Sequence, residues 1–285
     1  MAELVESVPE VRRAVAVARA TGTRIGLVPT MGALHDGHVG LIAACGAKAE
    51  FVVVSIFVNP TQFGPGEDFE RYPRPLEADL ERCQAARADL VFAPSAIAIY
   101  PHGRRSTFVE VPGLSDVLEG ACRPGHFRGV ATVVLKLFEI VQPDLAIFGQ
   151  KDYQQQLLLR RMVQDLHVPV EVHTHPTIRE PDGLALSSRN RYLKPQERQA
   201  ATVLYRALQQ AIRAVAGGER RGDRVRQILR QTIESEERVR IDYAEVADAD
   251  TLARLDDFEP GRRAVALVAA RVGTTRLIDN AILME

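Results

Sequence analysis

Residues 24–41 read RIGLVPTMGALHDGHVGL. The pattern changes twice within these eighteen positions. Residues 24–29 are short and almost continuously apolar, as a strand buried on both faces should be. The strand ends at Pro29, a turn containing Gly32 follows, and the spacing predicts a helix over 38–48. Such a turn brings backbone N–H groups and the positive end of a helix dipole to the strand's carboxyl edge. His35 and His38 are three apart and can face one ligand, and Gly37 lets a phosphate or nucleobase approach the backbone. A tight turn carrying two solvent histidines has the same spacing, so this motif alone leaves both readings open.

Working outward, similar strands are expected at 51–58, 89–94, 144–149 and 168–174, and helices at 8–20, 76–87, 130–141 and 152–166. Strand–helix alternation predicts an α/β fold with a parallel sheet, right-handed crossovers and ligands at the carboxyl ends of the strands. The composition changes after about residue 190. Pro195 opens a helical stretch that Gly217 and Gly218 end, and a second helix fits 222–237. The segments IDYAEVAD, RRAVALVAARV and TRLIDN then read as a small, mostly antiparallel sheet. The expected division is a first domain over 1–184 and a smaller α+β domain over 185–285. The Gly/Pro-rich stretch at 63–75 is expected to be a mobile loop.

Composition narrows the function. The chain of 285 residues carries 36 Lys and Arg against 37 Asp and Glu, without the basic excess expected of a protein that grips nucleic-acid phosphates. Cys45, Cys83 and Cys122 form no CxxC pair, which fits a reducing compartment better than a disulfide framework or zinc knuckle. No apolar run approaches the roughly 20 residues of a membrane span. A cytoplasmic protein without nucleic-acid or membrane partners is expected.

Three further segments carry chemistry at strand ends or between domains. In GQKDYQQQ (149–156), Lys151 can counter phosphate charge and Asp152 can hold Mg²⁺, which takes one or two carboxylates plus phosphate oxygens; a helix cap beside a solvated lysine is the alternative. In LSSRNRYL (186–193), Ser187, Ser188, Arg189 and Arg191 can bind a triphosphate or simply form a polar linker. In FVNPTQFG (57–64), Asn59 and Gln62 suit hydroxyl and carboxylate groups, although an Asn-Pro turn looks the same. The segment GACRPGHFRG (120–129) adds Arg123, His126 and Arg128, with anion contact possible. His173 and His175 share a strand face without a third metal ligand.

Together, PTMGALHDGH, VSIFVNPTQFG, YPR, RPGHFRGVATVVLKLF, GQKDYQQ and LSSRNRYL resemble the pantothenate synthetase (pantoate–β-alanine ligase) family over nearly the whole chain. His35-Asp-Gly-His38 is similar to the HxGH signature of the nucleotidyltransferase superfamily, and Ser187-Ser188-Arg189 to its second phosphate-binding signature. Gln150 stands where the family more often has Glu, and Leu186 where it more often has Met; neither supplies an essential charge.

The resemblance implies an ATP-dependent ligase acting through pantoyl adenylate. It implies a Rossmann-like N-terminal domain, a smaller C-terminal α+β domain and a homodimer. It places ATP on Met31, Gly32, Ala33, Leu34, His35, Asp36, Gly37 and His38, on Gly149, Gln150, Lys151 and Asp152, and on Ile178, Leu186, Ser187, Ser188 and Arg189. Gln62 and Gln155 would bind pantoate, Gln62 would also lie near β-alanine, and His38 would be the proton donor. His35, His38, Lys151 and Arg189 would stabilise the charge of the adenylating transition state, with Mg²⁺ at Asp152. Two alternatives are a cytidylyltransferase-like nucleotidyltransferase and a noncatalytic nucleotide-binding module. The GQKDYQQ and VNPTQFG segments disfavour the first, and the lack of a basic domain the second.

Overall fold

The apolar run that opens the 24–41 segment lies inside a six-stranded parallel sheet in the computed structural model, which describes residues 2–103, 107–259 and 261–284. In chain order the strands are β1 (Glu3–Val5), β2 (Ile25–Thr30), β3 (Phe51–Ile56), β4 (Leu90–Phe92), β5 (Leu145–Gly149) and β6 (Glu171–His175). Their spatial order is β1-β4-β3-β2-β5-β6, and every neighbouring pair is parallel. The order reverses between β2 and β5, the topological switch point at which doubly wound sheets bind ligands.

Helices α1 (Val8–Ala20), α2 (Asp36–Gly46), α3 (Leu76–Ala85), α4 (Ala96–Ile99), α5 (Glu119–Cys122), α6 (His126–Val141) and α7 (Tyr153–Asp165) connect these strands. The α1 helix begins with a capping box: Ser7 Oγ accepts from the Glu10 amide, and the Glu10 carboxylate accepts from the Ser7 amide. On one face of the sheet, Val28, Val52, Val54, Val91, Leu145 and Ile147 pack with Ile42 and Cys45 of α2 and Cys83 of α3. Alternate residues such as Leu27 and Val53 point to the other face, where α1 and α6 pack against β2. Burial on both faces is why these strands read as continuous apolar runs.

The described residues divide into two compact units. The first comprises 1–116, 123–150 and 155–176; the second comprises 117–122, 151–154 and 177–285. The second contains α8 (Pro195–Ala200), α9 (Val203–Ala216), α10 (Gly222–Glu234) and the antiparallel strands β7 (Val239–Asp248), β8 (Ala264–Val272) and β9 (Thr275–Met284), in the order β7-β8-β9. Its core joins Leu204, Leu208, Ala211, Val225, Leu229 and Ile233 to Ala244, Val246, Ala266 and Val268. This is the α/β parallel-sheet architecture with a smaller α+β part that the sequence predicts.

The sequence expectation lacks the edge strand β1 and the one-turn helices α4 and α5, and it differs at one long helix. The edge strand β1 has three residues, too few for a periodicity to register. The helix expected to run unbroken from Pro195 is interrupted at Ala201–Thr202, between α8 and α9. There the Thr202 hydroxyl donates to the Gln199 carbonyl, a local bond that competes with helix continuation.

Candidate active site

The chain leaves β2 at Thr30 and turns sharply. Gly32 (φ 78°) and Ala33 (φ 51°) both occupy the left-handed region, which is uncommon for alanine. Asp79, on α3 and only 1% exposed, closes the turn by accepting from the amides of Ala33 (2.8 Å) and Leu34 (2.7 Å). The Thr30 hydroxyl accepts from the Gly32 amide and donates to the Ser55 carbonyl. A side chain at Gly32 would meet Asp79 Oδ2 at 2.9 Å.

His35 is the N-cap of α2, so the helix starts at Asp36, two residues earlier than its hydrophobic pattern indicates. The two histidines cap the helix reciprocally: the Gly37 amide donates to His35 Nδ1, and the His35 amide donates to His38 Nδ1, both at 3.2 Å. Their ring centroids are 4.1 Å apart. Accepting through Nδ1 places the proton of each neutral ring on Nε2. Asp36 turns to the surface and pairs with Arg82. The sequence reads as a turn that presents its backbone amides at the strand's carboxyl edge, whereas in the structure most of them are already bonded internally. Those of Gly32, Ala33, Leu34, His35, Gly37, His38 and Val39 all have acceptors within the protein.

Beyond β3, a 3-10 turn over Pro60–Gln62 carries Gln62, 9% exposed. Its Oε1 accepts from Asn59 Nδ2 (3.0 Å), and its Nε2 donates to Met31 Sδ (3.2 Å). Asn59 Nδ2 also donates to the Gly129 carbonyl, and Asn59 Oδ1 accepts from Thr61 and the Tyr100 hydroxyl. Burial pushes the Tyr100 phenol up, so it remains a donor. Gly129 on α6 permits this packing, because a Cβ there would lie 2.6 Å from the Thr61 carbonyl and 2.7 Å from Gln62 Cα. Met31 and Gln62 are thereby brought together from two strand ends.

The 120–129 segment divides. Arg123 forms a fork on Glu67, with Nε and Nη2 each 2.7 Å from a carboxylate oxygen. His126 Nδ1 donates to the Gln62 carbonyl (2.8 Å), while its Nε2 accepts from Arg123 Nη1 (3.1 Å). Arg128 faces elsewhere, bonded to Glu110 and lying over the Phe108 ring. Burial alone would push the Glu67 carboxyl up, but the Arg123 bonds and charge outweigh it and hold it below its ordinary value.

Of three consecutive glutamines, two are tethered. Gln154 accepts from the Glu119 amide and donates to the Val117 carbonyl, and Gln156 accepts from Thr174. Gln155 is half-buried and has no side-chain hydrogen bond among the described residues. Gly149 ends β5 and Gln150 follows it. Lys151 Nζ lies 3.7 Å from Asp152 Oδ1, and the Lys151 carbonyl accepts from Asn280.

In the second unit the Leu186 amide donates to the Ile178 carbonyl, and Arg179 pairs with Ala185 in an antiparallel bridge. Ile178 and the Leu186–Arg189 segment are therefore neighbours. Ser187 caps the short 3-10 helix Ser188–Tyr192 by accepting from the Arg189 amide, and Ser188 is buried. Arg191 is exposed. The thiols offer no nucleophile in the cores: burial pushes Cys45 and Cys83 up to about 12, with the Asp79 charge adding to the effect on Cys83.

The sequence reading missed Asp79, Tyr100 and Gly129 as parts of this arrangement. Asp79 reads as an ordinary acid in the first turn of a helix, where it complements the dipole. Gly129 reads as the end of a loop. Only the folded chain shows what each one touches.

A doubly wound sheet with a tight turn and a histidine pair at the carboxyl end of β2, beside the switch point, has the architecture of an α/β ligand-binding protein. The comparisons sharpen this. The family model for pantoate-beta-alanine ligase matches residues 3–282. The pantothenate synthetase of Moorella thermoacetica is 54% identical over 281 residues, covering 99% of this chain and 98% of that protein. The crystal structure of pantothenate synthetase from Thermus thermophilus superposes with a TM-score of 0.93 at 46% identity, covering 99% of this chain and 100% of that one. The pantoate-beta-alanine ligase of Francisella tularensis, solved with beta-gamma ATP and beta-alanine, gives 0.80 at 32% identity, covering 99% and 98%. The chain belongs to the pantoate–β-alanine ligase family.

Proposed function

We propose that the protein is an ATP-dependent ligase that joins pantoate to β-alanine through enzyme-held pantoyl adenylate, releasing AMP and pyrophosphate. The observation that carries this reading is the reciprocally capped His35–His38 pair beside the switch point, in a chain whose family match spans residues 3–282.

In the first half-reaction the pantoate carboxylate attacks the α-phosphorus of ATP and pyrophosphate leaves. Charge develops on the non-bridging oxygens, and fixed donors stabilise it best. The Nε2–H groups of His35 and His38 suit that task, and Lys151 and Arg189 are assigned the same role. His38 is assigned as proton donor. The remaining ATP ligands are those the family motifs mark: 31–38, 149–152, Ile178 and 186–189. Gln62 and Gln155 hold pantoate by their amides. In the second half-reaction the β-alanine amine attacks the acyl carbon near Gln62, and AMP leaves without a covalent enzyme intermediate.

Mg²⁺ fits Asp152, whose carboxylate is 44% exposed, because this ion takes few protein ligands and completes its shell with phosphate and water. When bound it would neutralise part of the phosphate charge. No helix among the described residues is long and apolar enough to cross a membrane. A cytoplasmic homodimer completes the proposal, and gel filtration with light scattering tests the dimer.

The decisive assay supplies ATP, Mg²⁺, pantoate and β-alanine and identifies the nucleotide product. AMP with stoichiometric pyrophosphate and pantothenate supports the ligase. A product that retains the nucleotide identifies a transferase instead, and absence of turnover identifies a binding module.

A further inference from the structure

We propose that Asp79 is a positioning residue for adenylation: its buried carboxylate fills the backbone anion nest of residues 32–34 and so sets the pose of the histidine pair. The proposal rests on the reading that the 31–38 turn holds ATP, and it assigns a role to a residue outside that turn.

Successive amides in a tight turn form a concavity that binds anions. In nucleotide-binding loops the anion is usually a phosphate. Here Gly32 and Ala33 take left-handed backbone angles, and the amides of Ala33 and Leu34 converge on the two oxygens of Asp79. The nest is filled by the protein's own carboxylate. Neighbouring amides are equally occupied, by Thr30 Oγ1 before the nest and by the two histidine rings and the His35 carbonyl after it. Phosphate recognition in this segment therefore falls to side chains, principally the histidine rings, whose aim depends on the turn that Asp79 closes.

A purely structural role explains less. Asp79 is 1% exposed and has no cationic partner among the described residues. Burying a carboxylate with only two amides to satisfy it is unfavourable compared with a neutral or apolar residue in the same helix. The unusual angle of Ala33 is likewise maintained against its own preference. Both features fix the start of α2, where the two rings cap each other. Gly32 belongs to the same device, since any β-carbon there would press on Asp79 Oδ2.

The test uses pantoate-dependent ATP–pyrophosphate exchange, with kcat and the ATP KM expressed per folded molecule. Asp79→Asn keeps the shape but turns an NH2 group toward one of the two amides. It should lower kcat by about tenfold or more, with a smaller change in KM, because buried donors left unpaired shift the turn. The coupling is the informative readout. In a His38→Ala background the same change should lower kcat by a clearly smaller factor, because one of the two rings through which Asp79 acts is already gone. Gly32→Ala, which displaces the carboxylate from the other side, should show the same kinetics and the same dependence on His38; it carries the test if Asp79→Asn does not fold. Equal losses with and without His38, or unchanged kcat in both variants, overturn the proposal. If His38→Ala alone leaves kcat unchanged, the assignment of the turn to ATP fails and the positioning role fails with it. If His38→Ala is impaired and Asp79→Asn is not, only the positioning role is refuted.

Discussion

Gln62 uses its backbone and its side chain for different purposes. The carbonyl is fixed by His126, and α6 presses on the Cα through Gly129. The side-chain amide meets Asn59 and the sulfur of Met31, which is a weak acceptor. Exchanging that sulfur for a ligand oxygen is therefore favourable, and an amide adds little against a triphosphate's charge. Gln62→Ala should raise the pantoate KM by roughly tenfold, the loss of one or two hydrogen bonds, while the ATP KM changes by less than about twofold. Separate titrations of the two substrates check this, and equal weakening of both removes the assignment. Lys151 is a compact cation following β5, suited to charge that appears only in the transition state. Lys151→Ala should slow pantoate-dependent ATP–pyrophosphate exchange by about 10²–10³ in a protein with an unchanged circular dichroism spectrum. Near wild-type exchange would show that the cation serves only the surface. Residue-level legibility was uneven for a physical reason. The spacing of His35 and His38 is local and visible along the chain. The acceptor of the neighbouring amides lies 45 residues further on, in a helix whose own pattern explains an aspartate without it.

At the scale of elements, the segment after Gln62 has more internal structure than its Gly/Pro content implies. Phe63 packs edge-on against Phe69 and Tyr72, and Arg74 lies over the Phe69 ring while bonding to the carbonyls of Phe69 and Tyr72. The Glu67–Arg123 fork ties it to the residues before α6. Composition signals where a chain can bend; which aromatic rings meet depends on the turn between them, so the sequence reading saw a loop and missed the cluster. An acyl adenylate hydrolyses when water reaches it, and a surface segment that reaches the body through contacts such as the Glu67–Arg123 pair is suited to open and close over such a species. Replacing Glu67–Arg71 with a shorter flexible linker should leave ATP binding largely unchanged and raise the ratio of AMP to pantothenate. An unchanged ratio would make the segment a plain connection. The ion pair also gives the loop a pH dependence. The Glu67 carboxyl is held below its ordinary 4.5, so its contribution is complete above that value and is lost as the pH falls through the lower, folded value. Limited proteolysis within 64–74 should therefore accelerate in acid in the wild type, and Glu67→Gln should show the faster cleavage already at neutral pH. Equal cleavage of both proteins at neutral pH would show that the rings, not the ion pair, hold the loop.

Across the whole molecule the two units answer to different sequence signals. The parallel sheet was legible because strands buried on both faces are continuous apolar runs separated by amphipathic helices. The second unit was legible as α+β, yet not in its inclusion of residues 117–122 and 151–154, since a segment's sequence carries no mark of the unit it joins. Charge tells a similar story. With 36 basic and 37 acidic residues, the balance says nothing about which carboxylates support the fold. The structure shows which do, and Asp144 and Asp248 are examples from the two units. Asp144 accepts from the Ile25 amide (2.7 Å) and from Arg19, anchoring the start of β2. Asp248 accepts from the amides of Asp250 and Thr251, the Thr251 hydroxyl and Arg262. Burial would push both carboxyls up, but the hydrogen bonds and the arginine charges prevail and hold them below their ordinary 3.8. A carboxyl depressed on folding binds fewer protons in the native than in the unfolded chain. Its stabilisation is thus complete above 3.8 and is lost as the pH falls through the folded value. Asp144→Asn and Asp248→Asn should each lower stability at neutral pH by about 1.5–3 kcal/mol, the range for hydrogen bonds to a charged group. The difference from wild type should then shrink as the pH is taken below 3.8, because these carboxyls take up protons first in the unfolded chain and, at lower pH, in the folded one. Urea unfolding of the three proteins at about pH 7 and about pH 3 measures both quantities. A deficit that stays constant with pH would mean that the asparagine disturbs packing, and that the charge of these two groups does not produce the acid limb.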